Sequence, residues 1–260
     1  MKREMSVAGA FYPARDTELE RYFEHFNTIY DESHKLPNIR CKAVIVPHAG
    51  YIYSGYTANI AYRLLQNTKI KEFVVIGPSH RIGFNGVSMC QASSYSTPFG
   101  DIPAASALRQ ELHDTFKLNS LIPHAEHSTE VQFPFLKYYM PDVNILELIY
   151  GKEDPGFISE IIDFVLGKED TGVIISTDLS HFYDLQDANK LDRICLNAID
   201  TLNPALLHNG CEACGEIGIE AMLLSAKTLN LQTQILDYRT SADASHDSQK
   251  VVGYVSACFY

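Results

Sequence analysis

The stretch Ala43-Val44-Ile45-Val46-Pro47-His48-Ala49-Gly50-Tyr51 decides how this chain is read. Four small or β-branched apolar residues in a row predict a strand buried on both faces. Pro47 has no N–H to give a ladder, so it should end that strand and leave His48 just past its carboxyl end. Open α/β sheets place their ligand crevices at that edge. The arrangement recurs at Phe73-Val74-Val75-Ile76-Gly77-Pro78-Ser79-His80 and at Gly172-Val173-Ile174-Ile175-Ser176-Thr177-Asp178-Leu179-Ser180-His181. One strand-end histidine is usually structural. Three in the same position predict adjacent parallel strands carrying His48, His80 and His181 to one rim.

Composition sets the bounds. The 260 residues suit one large α/β domain spanning 1–260, and 46% hydrophobic with 20% charged residues suits a packed core. A formal net charge of -11 and no basic stripe argue against a nucleic-acid or anionic-membrane partner. No apolar run reaches transmembrane length and no signal-type segment follows Met1. Six scattered cysteines form no secreted framework, so reduced thiols and a cytoplasmic location are expected.

Along the chain, Thr17 and Glu20 suit a capping box for a helix with Leu19, Tyr22, Phe23, Phe26 and Ile29 or Tyr30 on one face. Residues 31–42 read as a linker and Gly50–Gly55 as a loop before a helix from about Tyr56 to Gln66. That loop lacks the spacing of the nucleotide motifs. Tyr95 to Pro103 reads as a surface loop long enough to cover a site. Pro123-His124-Ala125-Glu126-His127-Ser128-Thr129-Glu130 is the most polar cluster. It is either a solvated helix start capped by Ser128 or a catalytic group led by His127. Helices are expected near 104–113, 155–166 and 187–202 and through Met222–Ala226, with strands at 143–149, 233–238 and 250–259. Cys214 falls at or near a helix N-terminus, which favours thiolate and predicts the most reactive thiol. Cys41, Cys90, Cys195 and Cys258 lie in apolar runs and should be inert, whereas Cys211 is spaced to form a reversible disulfide with Cys214.

Taken together, Val-Ala-Gly-Ala-Phe-Tyr-Pro at 7–13, Pro-His-Ala-Gly-Tyr at 47–51, Gly-Pro-Ser-His at 77–80, Glu-His-Ser at 126–128, Asp-Leu-Ser-His at 178–181, Ala-Cys-Gly at 213–215 and Val-Val-Gly-Tyr at 251–254 resemble the Memo family. That family is similar to the catalytic subunit of class III extradiol dioxygenases, which use non-haem iron. The resemblance implies a single-domain three-layer α/β/α sandwich around a mixed, largely parallel sheet, with a metal pocket. By motif the ligands would be His48, His80 and Cys214, with Asp178 and His181 beside them. It also implies the AmmeMemoRadiSam system, with radical-SAM and AMMECR1-like partners. Two departures stand near the implied pocket: Glu216-Ile217-Gly218 where an aromatic, a glycine and a proline are usual, and His246 where a glycine is usual.

The chemistry follows from the donor types. Two imidazoles with a carboxylate suit non-haem iron, and a thiolate in the third place shifts preference toward copper(I), zinc or thiolate-ligated iron. His181 is placed to act as general acid or base if Asp178 orients it. Asp178 otherwise serves as a turn residue. Three functions are open: a dioxygenase-like redox enzyme with iron(II) or copper(I) acting on an unknown small molecule or protein, a zinc hydrolase, and a binding or assembly protein with a vestigial metal site.

Overall fold

The computed structural model describes residues 1–260. The chain opens with β1 (Lys2–Arg3), α1 (Asp16–Ser33), β2 (Ala43–Val46), α2 (Tyr51–Leu65) and β3 (Glu72–Pro78). There follow β4 (Val87–Met89), β5 (Ser94–Tyr95), β6 (Ile102–Pro103), α3 (Ser106–Phe116), α4 (His127–Glu130), α5 (Phe133–Tyr139) and β7 (Asn144–Tyr150). Next come α6 (Pro155–Leu166), β8 (Thr171–Ser176), β9 (His181–Tyr183), α7 (Leu185–Asp200) and a 3-10 turn at Pro204–Asn209. The chain closes with α8 (Glu216–Thr228), β10 (Thr233–Thr240), α9 (Ala242–Ser245) and β11 (Val251–Phe259).

The main sheet runs β10-β11-β2-β8-β3-β7-β4, and β9 pairs with β11 outside that path. Its centre, β2-β8-β3-β7, is parallel, while β11 and β4 join it antiparallel on either side. Buried parallel strands read as continuous apolar runs, and Ala43–Val46, Phe73–Ile76 and Val173–Ile175 are all essentially inaccessible. Alternation splits each run between two cores. Ala43, Ile45, Val74, Ile76, Val173 and Ile175 face a core completed by α3, α6, α7 and α8. Val44, Val46, Phe73, Val75 and Ile174 face the one formed by α1, α2 and α5. The result is the expected mixed α/β sheet between two helical layers.

The three histidine-bearing strands are neighbours in the order β2-β8-β3 and all are parallel, so their carboxyl ends share one rim. Several local expectations are corrected. Helix α2 starts at Tyr51, directly after Gly50, because Tyr51 is buried and tied at both ends: its N–H donates to Phe11 O at 2.8 Å and its hydroxyl to Val131 O at 2.6 Å. Residues 95–103 do not cover the site. They hold β5 and β6, which form a small sheet with β1. Thr17 caps nothing, since α1 begins at Asp16 after Arg15. No helix is long and apolar enough to cross a membrane.

Candidate metal centre

His48 leaves β2 after Pro47 and its side chain is buried against Ser176, the last residue of β8. The network there fixes its tautomer. Ser176 Oγ donates to Ser128 O and accepts Gln132 Nε2 at 2.8 Å, so toward His48 it acts as acceptor for Nδ1–H at 3.1 Å. That leaves the Nε2 lone pair free, and it faces Cys214 Sγ at 3.3 Å. Burial above all, then the neighbouring His80, His127 and His181, pushes the His48 imidazole well below its usual range, so it is neutral at neutral pH. A neutral imidazole with one ring nitrogen held and the other bare is the ligand form.

Cys214 reaches this point because Gly215 lets its loop close on β8. A Cβ at Gly215 would lie 2.6 Å from the Thr177 side chain, and Gly215 N–H donates to Thr177 Oγ1 at 2.9 Å. Asp178 holds the same loop, with its carbonyl accepting Cys214 N–H at 3.2 Å and its N–H pointing to Sγ at 3.3 Å. Donor atoms of His48, His80 and Cys214 lie within 4.8 Å of one another. Zinc–sulfur and zinc–nitrogen bond lengths place tetrahedral ligand atoms about 3.5 Å apart, so the spacing and donor chemistry fit one metal ion.

The third imidazole at the centre is His127. Its ring centroid lies 4.6 Å from His80 and 5.4 Å from His48, while His48 and His80 are 5.1 Å apart. Helix α4 approaches β3 closely because Gly77 has no side chain; a Cβ there would lie 2.8 Å from Ser128 Oγ. The cap of α4 is Glu126, not Ser128, whose hydroxyl instead donates to Pro78 O at 2.7 Å. The segment is no solvated helix start, since Glu126, Ser128, Thr129 and Glu130 are all buried.

Glu126 organises the cluster, and sequence reasoning did not single it out. Oε1 accepts His127 Nδ1 at 2.9 Å, and Oε2 accepts the His80 and Arg81 amides at 2.8 and 3.1 Å. Burial alone would raise its pKa, but these bonds, led by the His127 ring, outweigh it and hold the carboxyl well below its usual range. Its contribution is therefore complete above the ordinary carboxylate range and fades only as pH falls toward the depressed value. Glu126→Gln presents an NH2 group to donors whichever way it turns, so metal affinity should fall about 10–100-fold with little change above pH 5. Calorimetric metal titration checks this.

Asp178 is buried beside the pocket, and its Oδ1 accepts the His48 amide at 2.7 Å. Burial pushes its carboxyl up against that stabilising bond. It makes no hydrogen bond to His181, which begins β9 on the same rim, half-exposed, and whose nearest ring neighbour is Phe182 at 5.8 Å.

The thiols differ most from expectation. Cys195 and Cys211 form a disulfide, with Cα atoms 5.1 Å apart, because the 3-10 turn folds back along α7. Neither is a reduced thiol, and Cys211 is not free to pair with Cys214. Cys214 does lie near the start of α8, which begins at Glu216 after Gly215, but its reactivity is not the one expected. Burial first, then the Asp178 carboxylate, pushes its thiol up to about 12, level with buried Cys41 and Cys90. The departures at Glu216 and His246 also fall outside the pocket. Glu216 faces His208, and His246 lines a separate cavity of about 550 Å³ with Leu185, Tyr238 and Asp243. His246 has φ 59°, a conformation glycine adopts without strain.

A three-layer α/β/α sheet with two imidazoles and a thiol converging at one rim defines a protein with a metal-capable donor cluster. The profile of the Memo family, described as Memo-like protein, matches residues 3–258, and the chain belongs to that family. It is 33% identical over 266 residues to a MEMO1 family protein of Thermoplasma acidophilum, covering 98% of each chain. Over 273 residues it is 32% identical to a MEMO1 family protein of Aquifex aeolicus, covering 99% of this chain and 98% of that one. The crystal structure of the uncharacterized protein JW3007 from Escherichia coli K12 shares the fold, with a TM-score of 0.54, 12% identity, and coverage of 84% of this chain and 99% of that one.

Proposed function

We propose that His48, His80 and Cys214 bind one non-haem metal ion and that the chain is a metal-dependent, dioxygenase-like oxidoreductase acting on a small molecule or protein. The observation that carries this reading is the unprotonated His48 Nε2 facing Cys214 Sγ at 3.3 Å, with His80 completing the donor set. Iron(II) or copper(I) would supply one-electron chemistry that no side chain here can provide. The protein's own residues supply the rest. Ser176 holds His48 in its ligand tautomer. Glu126 fixes His127 Nδ1–H and leaves Nε2 directed away from it, available to take or give a proton beside the metal. Asp178 anchors both the His48 amide and the Cys214 loop. Three protein ligands leave coordination positions for substrate.

The test is anaerobic loading with iron(II), copper(I) or zinc, followed by elemental analysis and oxygen uptake with a reductant present. Metal content and uptake should fall together in His48→Ala. Metal-loaded protein without oxygen uptake would overturn the redox reading. The thiolate favours zinc as a second occupant, and ester hydrolysis by the zinc form alone would put a hydrolase in its place. Radical-SAM and AMMECR1-like partners belong to the same proposal, with co-purification as their check.

A further inference from the structure

A second donor set converges away from the His48 pocket. Cys90 Sγ, a His124 ring nitrogen and a Glu147 carboxylate oxygen lie within 4.8 Å of one another. Glu147 is a carboxylate in the middle of β7, between Leu146 and Leu148, and is fully buried. Its Oε2 accepts His124 Nδ1 at 2.9 Å, its Oε1 accepts Thr129 Oγ1 at 2.5 Å, and Arg3 lies 3.5 Å away. A cavity of about 440 Å³ beneath the N-terminal arm is lined by both Cys90 and His124. Sulfur, nitrogen and oxygen donors at this spacing, with an entry path, suit a borderline divalent cation.

Ser88, His124 and Glu147 also have the spacing of a hydrolase triad, with Ser88 Oγ 2.9 Å from His124 Nε2. That reading fails on access. Ser88 is fully buried and does not line the cavity, and its Oγ already accepts the Leu121 and Ile122 amides at 2.9 and 3.3 Å. The same two bonds make Ser88 the donor to Nε2, so in the metal-free protein His124 carries its proton on Nδ1.

We propose that Cys90, His124 and Glu147 form a second cation site, for a zinc-class divalent ion entering through this cavity. On binding, the Cys90 thiol releases its proton to solvent. His124 loses its Nδ1 proton to solvent and takes one up at Nε2, so the ring stays neutral. The Ser88 hydroxyl hydrogen turns away from Nε2, and Ser88 Oγ accepts Nε2–H in place of the longer Ile122 amide. The thiolate and the Glu147 carboxylate then balance the ion's two charges, while Arg3 remains paired with Glu130.

Cobalt(II) is the probe, because thiolate ligation gives it a near-ultraviolet charge-transfer band that imidazole and carboxylate do not. The metal-free full chain carrying His48→Ala and Cys214→Ser, which lacks two donors of the first pocket, is titrated anaerobically. It should still bind about one equivalent with a thiolate band. Adding Cys90→Ala should abolish the band, and adding His124→Gln should weaken binding at least ~10-fold, each in protein with an unchanged circular-dichroism spectrum. No thiolate band in the starting variant, or a band that survives Cys90→Ala, overturns the proposal. Neither outcome depends on what the first pocket binds.

Discussion

Replacing Glu130 with alanine should lower the free energy of unfolding by about 3–5 kcal/mol. Its carboxylate is fully buried, yet it is the anchor of the N-terminal arm. It accepts the Ser6 amide at 2.7 Å, the Val7 amide at 2.8 Å and the Tyr12 hydroxyl at 3.0 Å, and it pairs with Arg3. Alanine would leave the buried Val7 amide and Tyr12 phenol without their acceptor and strip the Ser6 amide of its own, while the buried Arg3 guanidinium would lose one carboxylate and keep the Glu4 and Glu126 carbonyls and Glu147. Arg3→Met should cost less, because Glu130 keeps its amide and hydroxyl donors and the methionine fills similar volume. The arm also bears on the pocket, since the Phe11 ring packs 4.9 Å from His127. Urea denaturation of the two variants checks the order of effects. A loss below about 1 kcal/mol for Glu130→Ala would mean that the small β1-β5-β6 sheet holds the arm without the carboxylate.

How much of this was readable beforehand depends on whether the signal was local. Runs such as Val173-Ile174-Ile175 carry their own burial, so the parallel centre of the sheet and its histidine rim were legible. Helix α6 has the bounds expected for 155–166, and the structure supplies the reason: the Asp154 side chain accepts Gly156 N–H at 3.0 Å and Pro155 opens the first turn. What could not be read were properties created by distant partners. Tyr51 looks like a loop residue until Phe11 and Val131 take its polar groups. His127 and His181 look equivalent, and only the approach of α4 to Gly77 brings one of them against His48 and His80. Glu126 and Glu130 fit a solvated helix start as well as a catalytic group, and Glu147 is one polar residue in an apolar strand, because their donors lie up to more than a hundred residues away. The Cys195–Cys211 bridge was hidden for the same reason. Cys211 stands three places from Cys214 in sequence, but the 3-10 turn carries it to α7.

That bridge sharpens the second large effect, which concerns the two cysteines as a pair. Cys214→Ser should weaken copper(I) or iron(II) binding by more than the ~10–100-fold that loss of a partner outside the coordination shell costs, because it removes a ligand and substitutes a hard oxygen for a soft sulfur. Cys211→Ser should do far less. Its sulfur is bonded to Cys195, and the Cys214 loop keeps its own ties through the Asp178 carbonyl and Thr177. The pH dependence follows from the thiol. With its pKa pushed up to about 12, Cys214 is protonated throughout the neutral range, so the metal must displace that proton. Apparent affinity should therefore rise with pH by about tenfold per unit, as expected for one released proton, and Cys214→Ser should flatten that slope. Competition titrations against a chelator at several pH values measure both quantities. Alkylation supplies an independent check: the metal-free Cys214 thiol should react slowly at neutral pH, and bound metal should shield it further. Equal affinity losses for the two variants, with the slope intact in Cys214→Ser, would remove the thiolate from the centre and leave His48 and His80 to be completed by His127 and Glu126, whose donor atoms with His80 also lie within 4.8 Å of one another.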